Sequence, residues 1–252
     1  MIKIVIKDYF DKQKASITEQ VTAKTTKADA IELTKDQIDR LISELDFDLT
    51  QDELQVTLDK LTELYSQLGE LAVNDAMAAI NVADKIVLED SLDYVKEYAV
   101  NRTAELIGKS IDENGKIIDN PDASMAITDT TRDEIASLVE NAIANGATND
   151  ELAQELADAY GFSSERAEMI ARTETNIADN DITLNTYKNG GVEKKQWWTA
   201  NDDLVSEECM ANQDDGVIGI NENFSSGDEA PPTHPNCRCT ILAVFEDLPE
   251  DN

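Results

Sequence analysis

The residues best suited to bind a metal or to act as nucleophiles are confined to one short part of this sequence. The chain has 1 histidine and 3 cysteines in 252 residues. His234, Cys237 and Cys239 all lie within "PPTHPNCRCT", residues 231–240, and Cys209 lies upstream in "VSEEC". Three thiols and one imidazole would supply the four ligands that a structural Zn²⁺ takes. The pattern predicts that these four residues, here named the Cys/His cluster, form a clasp that fastens the C-terminal part of the chain.

Three states of the Cys/His cluster are compatible with this spacing. In extended backbone Cys237 and Cys239 point to one side and Arg238 to the other, so both thiols could face one ion. Structural zinc sites, however, more often use a C-x₂₋₄-C turn. The alternatives are a structural zinc site, a metal-free packed motif with His234 hydrogen-bonded to backbone, and a disulfide from Cys209 to one of the other two cysteines. The prolines of "PPTHP" stiffen the segment, which is expected of any rigid clasp.

An ordered series of motifs surrounds the cluster. Arg172, Thr173 and Glu174 stand as "ARTET" on a long predicted helix, followed by a strand with a tryptophan pair, an aspartate turn, Cys209, Phe224 and "PPTHPNCRC". This series resembles the phage Mu F-like head morphogenesis family over roughly residues 89–243. The resemblance implies a minor structural protein of a tailed-phage or prophage-derived head, acting in head morphogenesis or genome delivery.

The same resemblance implies where the protein works and how the chain is divided. Its partners would be phage portal and capsid proteins, and its location the capsid interior of the virion, with the host cytoplasm during assembly. The head morphogenesis domain would span 87–246, with helices over 87–190 and a β lobe over 191–246. Residues 1–86 would be an N-terminal strand and helical segment, a candidate docking element, and 247–252 an acidic tail. The family often has a C-x-x-C pair where this chain reads Ser206-Glu-Glu-Cys209, which removes one candidate metal ligand.

Other residues of the motif series are predicted to support the clasp. Residues two apart on a helix point to different sides, so Arg172 and Glu174 should not pair with each other. Each is expected to reach the β lobe, with Arg172 bound to backbone carbonyls or to a carboxylate such as Asp202 or Asp203. On a strand, one residue of the Trp197–Trp198 pair should be buried and the other more exposed. The predicted clasp therefore comprises Arg172, Glu174, Trp197, Asp202, Cys209, Phe224, His234, Cys237 and Cys239.

An enzymatic role is the alternative function. A zinc-dependent hydrolase, or an effector packaged in the head, would need an open metal position and a base such as Glu207 or Glu208. The sequence has no Ser-His-Asp pattern and no Gly-rich phosphate loop, and its 1 histidine leaves few catalytic groups. We therefore predict a protein that is not an enzyme.

Composition narrows the class of partner. The formal net charge is −32, from 53 acidic and 21 basic residues. Sequence-independent DNA binding depends on clustered Lys and Arg, and no such cluster is present, so strong intrinsic DNA binding is not expected. No apolar run approaches the roughly 20 residues that cross a bilayer. Protein partners are favoured over nucleic acid and membrane.

The elements that must position these residues follow from helix-capping patterns. A Thr followed by Glu or Gln three residues later predicts a helix start, and this occurs at Thr34, Thr50, Thr131 and Thr148. A further helix should open at Ser163 or Ser164 and run to Gly190, and "DENGKIIDNPDAS" should be a loop. "IKIVI" at the N-terminus and three runs after Gly191 are β-like. The predicted fold class is α+β, mainly α-helical, with a small β-containing C-terminal lobe.

Overall fold

A computed structural model of the chain describes residues 1–24, 34–123, 126–145 and 147–245. Its helices are α1 Ile2–Lys24, α2 Lys35–Ser43, α3 Gln51–Ala79, α4 Lys85–Leu106, α5 Ile127–Ala144, α6 Asn149–Asp158, α7 Ser164–Asn189 and α8 Glu207–Asp214. Its strands are β1 Lys109–Ile111, β2 Ile117–Asp119, β3 Lys194–Trp198, β4 Val217–Gly219 and β5 Thr240–Val244. The α+β, mainly helical fold class is confirmed. The predicted acidic tail, 247–252, lies outside the described residues.

Most of the predicted helix starts are confirmed. Thr34 and Thr148 cap α2 and α6 in complete capping boxes, and the backbone N–H of Thr50 donates to Glu53 at the start of α3. Ser163 caps α7, since its hydroxyl accepts from the backbone N–H of Arg166 at 3.0 Å. These starts were predictable because a capping box uses only residues within one turn.

The predicted start at Thr131 is wrong. Helix α5 begins at Ile127, and the buried Thr131 hydroxyl donates to the carbonyl of Ile127 one turn earlier, at 2.6 Å. Glu134, which should have completed the box, instead accepts from the backbone N–H of Gly161 at 2.8 Å. A Thr inside a helix can bond the carbonyl four residues back as readily as it can cap, so the pattern alone did not distinguish these uses.

The predicted N-terminal strand is also wrong, because residues 2–24 form helix α1. The buried side chains of this segment recur at helical spacing, at Ile2, Val5, Ile6, Tyr9, Phe10, Ile17 and Val21. Ile4, by contrast, is 71% exposed. The five letters "IKIVI" are compatible with both periods, and only the longer stripe through Val21 selects the helix.

By packing, the chain divides into two compact units. Unit 1 comprises Met1–Leu61 and Asn101–Glu168, and unit 2 comprises Thr62–Val100 and Met169–Asn252. These units are defined by packing within the chain. The predicted Mu F-like domain, residues 87–246, was defined by sequence similarity, and its boundaries stay a prediction.

A buried arginine organises the core of unit 1. Arg166, only 5% exposed, donates from Nη1 to the Thr131 hydroxyl and the Gly161 carbonyl, both at 2.6 Å. Its Nη2 donates to the carbonyl of Ile127 at 3.1 Å and to the hydroxyl of Thr130. The guanidinium lies 4.9 Å from the centre of the Phe10 ring. Arg166 therefore joins α1, α5 and α7 within unit 1.

Unit 1 also contains a small β hairpin where only a loop was predicted. Strands β1 and β2 pair antiparallel, with Lys109 opposite Asp119. The Lys109 ammonium donates to Asp119 and to Asp48, each at 2.7 Å. Three-residue strands are too short to show a period of their own, which explains why "DENGKIIDNPDAS" indicated only turns.

Unit 2 carries the predicted β lobe as one three-stranded antiparallel sheet in the order β4-β3-β5. Trp197 of β3 is opposite Ile241 of β5 and is fully buried, whereas Trp198 is 46% exposed. The prediction for the tryptophan pair is thus confirmed. Trp197 packs edge-on against Phe224, with ring centres 5.1 Å apart, and the same core includes Cys209, Cys237, Cys239 and Ile241.

Candidate functional site

The Cys/His cluster is assembled from two segments of unit 2. Cys209 lies in the first turn of α8, where its backbone N–H donates to the Ser206 hydroxyl at 3.2 Å and so fixes the helix start. His234, Cys237 and Cys239 lie on the segment that leads into β5, after a cis peptide bond between Pro231 and Pro232. The N-terminus of α8 and the entry to β5 therefore converge on one point.

Helix α7 holds the β5 side of this site through neutral side chains. The backbone N–H of Asn236, a residue with φ of 59°, donates to the Thr173 hydroxyl at 3.0 Å. The amides of Asn176 and Asn180 donate to the carbonyl of Cys239 at 3.0 and 3.3 Å. Asn180 also accepts from the backbone N–H of Ile241 at 3.1 Å. These four hydrogen bonds, each between a side chain of α7 and a backbone group, fix the path of residues 236–241.

The side chains of the cluster are in mutual contact. The Cys209 Sγ lies 3.3 Å from His234 Nε2 and 3.6 Å from Cys237 Sγ. These three ligand atoms all lie within 4.8 Å of one another. The Thr233 hydroxyl is a further neighbour of Cys209 Sγ, at 3.4 Å. The structure therefore brings together Cys209, His234 and Cys237 as the sequence predicted.

Cys239 completes the cluster from the buried side. It is 3% exposed and lines the same small cavity as Cys209, His234 and Cys237. A hydrogen bond with the Cys239 thiol lowers the pKa of Cys237. The same hydrogen bond, together with burial, raises the pKa of Cys239. In the absence of a metal, the hydrogen bond therefore favours Cys237 as the more acidic thiol of the two.

The ring of His234 has a defined orientation. Its Nδ1 lies 2.9 Å from the carbonyl of Pro235, and a carbonyl can only accept, so Nδ1 carries the hydrogen. The lone pair is consequently on Nε2, the atom that faces Cys209. An imidazole held in this way by a backbone carbonyl is the arrangement found in metal-binding histidines.

Arg238 points away from the thiols, as the predicted alternation requires. It is exposed, whereas Cys237 and Cys239 on either side are buried. Its guanidinium donates to both carboxylate oxygens of Asp202, at 2.6 Å each. The hydrogen bond from Arg238 lowers the pKa of Asp202 to about 2. Arg238, which also lines the cavity of the cluster, therefore connects this segment to the turn at Asp202.

The predicted anchor residues Arg172 and Glu174 differ in burial. Arg172 is exposed, and Asp202, one of its suggested partners, accepts from Arg238, so the anchor role of Arg172 stays a prediction. Glu174 is buried and accepts from the hydroxyl of Tyr65 at 2.7 Å. Between them, Thr173 contacts the clasp segment through Asn236. A buried arginine, Arg166, lies six residues before Arg172 and within unit 1.

The residues that sequence reasoning missed are Asn176 and Asn180. Asn has low helix propensity because its amide competes for backbone groups, and here two Asn stand four residues apart, on one face of α7. That spacing was a signal that their side chains serve another segment. Lys195 of β3 was also missed: it is fully buried, with its Nζ 5.5 Å from the centre of the Phe224 ring.

Comparison with known proteins agrees with the motif series. Residues 133–242 match the family model described as "Phage Mu protein F like protein", which confirms the predicted resemblance for that segment. The match includes all four residues of the Cys/His cluster. Over these residues the chain is similar to the Mu F-like family.

One curated relative also matches. It is an uncharacterized protein of Haemophilus influenzae, 26% identical over 114 residues, which are 45% of this chain and 25% of that protein. The match therefore spans about a quarter of the relative's length. No solved structure matches the chain. In the described residues, no helix is long and apolar enough to cross a membrane.

Proposed function

We propose that this protein is a minor structural component of a tailed-phage or prophage-derived head, acting at the portal or the inner capsid surface in head morphogenesis or genome delivery. The observation that carries this proposal is the Mu F-like match over residues 133–242. That segment contains the Cys/His cluster together with β3, β4 and the anchoring asparagines of α7. On this proposal the protein resides in the virion, and in the host cytoplasm during assembly.

The structure of the cluster supports a structural role over a hydrolytic one. Catalytic zinc keeps an open position for water, whereas structural zinc is enclosed. Cys209, Cys237 and Cys239 are all at most 5% exposed. The predicted bases Glu207 and Glu208 are exposed on the first turn of α8, whereas Cys209 on the same turn is buried. This arrangement is suited to fastening two segments together.

The charge of the chain bears on how it would be held in a head. At −32 it should be repelled by packaged DNA, because binding to phosphates depends on cations. Attachment would then depend on protein contacts with basic surfaces of the portal or capsid. Attraction between opposite charges at an interface rim is weakened by salt. We therefore expect partner binding with a salt-sensitive component.

Residues 1–86 remain the predicted docking element. Removing the whole segment would be a poor test, because Phe10 and other side chains of α1 form part of the core of unit 1. The exposed apolar residues of the segment can be changed instead. Ile4, Leu71 and Ile86 are 71%, 62% and 68% exposed, so substituting them should alter binding without unfolding the protein.

The experiment is a co-purification of the full chain with the portal and with the major capsid protein encoded beside it. Wild type and the Ile4→Glu, Leu71→Glu and Ile86→Glu variants are compared at low and high salt. Leu204→Glu is the matched control, because Leu204 is an exposed apolar residue outside the segment, at 80%. We expect salt-sensitive capture that the first three variants weaken and the control retains.

The possible failures separate two parts of the proposal. Capture that is unaffected by all three variants would remove residues 1–86 as the docking element but keep the head role. Failure to bind either partner, together with normal particle yield after deletion of the gene, would overturn the head role itself. Tight duplex DNA binding at physiological salt would contradict the argument from charge.

A further inference from the structure

The Cys/His cluster has the composition of a metal site. Its four residues are every cysteine and histidine of the chain. Among the described residues, Cys209, His234 and Cys237 are the one group of metal-ligating side chains that converges closely enough to hold an ion. Thiolate and imidazole ligands select Zn²⁺ over the harder cations Mg²⁺ and Ca²⁺. The chemistry of the donors thus points to zinc.

The spacing of the donor atoms fits the edges of a zinc tetrahedron. With Zn–S bonds of about 2.3 Å and Zn–N bonds of about 2.0–2.1 Å, neighbouring ligands are separated by about 3.8 Å for two sulfurs and about 3.6 Å for sulfur and nitrogen. The observed separations are 3.6 Å for Cys209 and Cys237 and 3.3 Å for Cys209 and His234. For these two pairs the difference from the tetrahedral separation is a few tenths of an ångström, and all three ligand atoms lie within 4.8 Å of one another.

The surroundings hold these donors in the orientation that binding requires. The Pro235 carbonyl keeps the hydrogen of His234 on Nδ1, which leaves Nε2 free to ligate. Asn176 and Asn180 hold the carbonyl of Cys239, and Thr173 holds the backbone of Asn236. Such outer contacts are those that fix ligand geometry in metal sites. They do not depend on the ion being present.

We propose that this protein binds one Zn²⁺ through Cys209, His234, Cys237 and Cys239, and that the ion fastens the entry of β5 to the start of α8. The proposed fourth ligand is Cys239, which lines the same cavity but is not one of the three residues whose ligand atoms lie within 4.8 Å of one another. A site of four protein ligands is closed and structural. The inference is independent of the proposed role in a phage head.

A disulfide is the competing use of the same thiols. The sulfurs of Cys209 and Cys237 are 3.6 Å apart, much longer than the about 2.05 Å of a disulfide bond. All three cysteines are free thiols in this structure. An experiment must nevertheless distinguish the zinc site from both a disulfide and a metal-free thiol cluster.

The test measures the metal content of the full chain, purified under reducing conditions with a tag that contains no histidine. We expect one zinc per chain in the wild type by elemental analysis. Cys209→Ser, His234→Ala, Cys237→Ser and Cys239→Ser should each lose most of it. Thr233→Val is the matched control, because Thr233 contacts Cys209 Sγ at 3.4 Å without being a ligand, and it should retain zinc.

A second measurement uses the unmodified chain, so that it does not depend on the variants folding. Zinc is removed with a chelator and replaced by Co²⁺, which should give the visible bands of a tetrahedral ion and a thiolate charge-transfer band. A wild type that takes up no zinc, or an octahedral Co²⁺ spectrum, would overturn the proposal. So would one free thiol in place of three in the denatured, unreduced protein. Full zinc retention in Cys239→Ser would overturn the closed four-ligand site.

Discussion

Arg166 in unit 1 and Lys195 in unit 2 are both buried cations, but their surroundings differ. Arg166 donates to four oxygens, of Ile127, Thr130, Thr131 and Gly161. The Nζ of Lys195 has no hydrogen-bond partner among the described residues and faces the Phe224 ring. Burial lowers the pKa of Lys195 to about 8. Burying a charge is costly unless its hydrogen-bonding groups are satisfied. We therefore expect Arg166 to stabilise unit 1 and the charge of Lys195 to destabilise unit 2.

The two units also differ in what holds their long-range connections. In unit 1, Arg166 and Lys109 are cations bound to several oxygens each. In unit 2, the buried side of the segment from Asn236 to Ile241 is held by the neutral side chains of Thr173, Asn176 and Asn180 and by the Cys/His cluster, and its exposed side carries the ion pair of Arg238 with Asp202. Unit 1 should therefore be insensitive to thiol chemistry, whereas the sheet of unit 2 should respond to it.

The largest expected effect is at Arg166. Arg166→Ala should destabilise the protein by about 3 kcal/mol or more, because buried carbonyls of Ile127 and Gly161 lose a charged donor. Arg172→Ala, at an exposed position of the same helix, should cost about 0.5 kcal/mol or less. The midpoints of urea unfolding measure both. Equal midpoints for the two variants would contradict the expectation that Arg166 contributes more to stability than Arg172.

Asn180 should rank second. Its fully buried amide pairs both the Cys239 carbonyl and the Ile241 N–H, and leaving such groups unsatisfied costs about 1–3 kcal/mol. Asn180→Ala should therefore lower stability by that amount and speed hydrogen exchange at the Ile241 amide. Asn185→Ala, which removes an exposed contact with Asn189 on the same helix, is the control. Unchanged exchange at Ile241 would show that β5 is held by other contacts.

The stability cost of the buried Lys195 charge should depend on pH. Its folded pKa of about 8 lies below the ordinary 10.5, so the unfolded chain binds the proton more strongly between these values and stability should rise with pH there. Below about pH 8 the cost of the buried charge is constant. Lys195→Met keeps an apolar stem beside Phe224 and should be more stable than wild type at pH 7.

Thermal unfolding of both proteins from pH 7 to 10.5 checks this expectation. The stability difference should shrink as pH rises, because the wild-type lysine becomes neutral in both states. A constant difference across this range would mean that Lys195 is not the group responsible.

The smallest effect is expected for the exposed pair of Arg238 and Asp202. Both side chains are more than 40% exposed, and solvent-exposed ion pairs contribute little to stability. Arg238→Ala should leave the unfolding midpoint almost unchanged while the pKa of Asp202 rises from about 2 toward the ordinary 3.8. A carboxyl titration by NMR detects this change. A large fall in stability would show that the pair matters to the Cys/His cluster.

Several features follow from local sequence alone. The helix starts at Thr34, Thr50 and Thr148 were predictable because the capping partner lies three residues away. The period of a strand predicts that one residue of the Trp197–Trp198 pair is buried and the other more exposed, and the structure shows that Trp197 is the buried one. The resemblance to the Mu F-like family was evident from the order of four motifs: "ARTET", the tryptophan strand, Cys209 and "HPNCRC". The cysteines and the histidine were predicted to converge because the chain has so few of them and three lie within ten residues.

Tertiary contacts decided the rest. The five letters "IKIVI" do not distinguish a strand from a helix, and the buried stripe that continues through Val21 shows that this segment is a helix packed on a core. Whether Arg166 or Arg172 is buried depends on the carbonyls of Ile127 and Gly161, which the sequence does not bring near either one. The contact of His234 with Cys209 likewise depends on a fold that carries α8 and the segment before β5 to the same place. The local sequence pattern identifies the residues that are able to bind or react, and only the tertiary packing determines which atoms they contact.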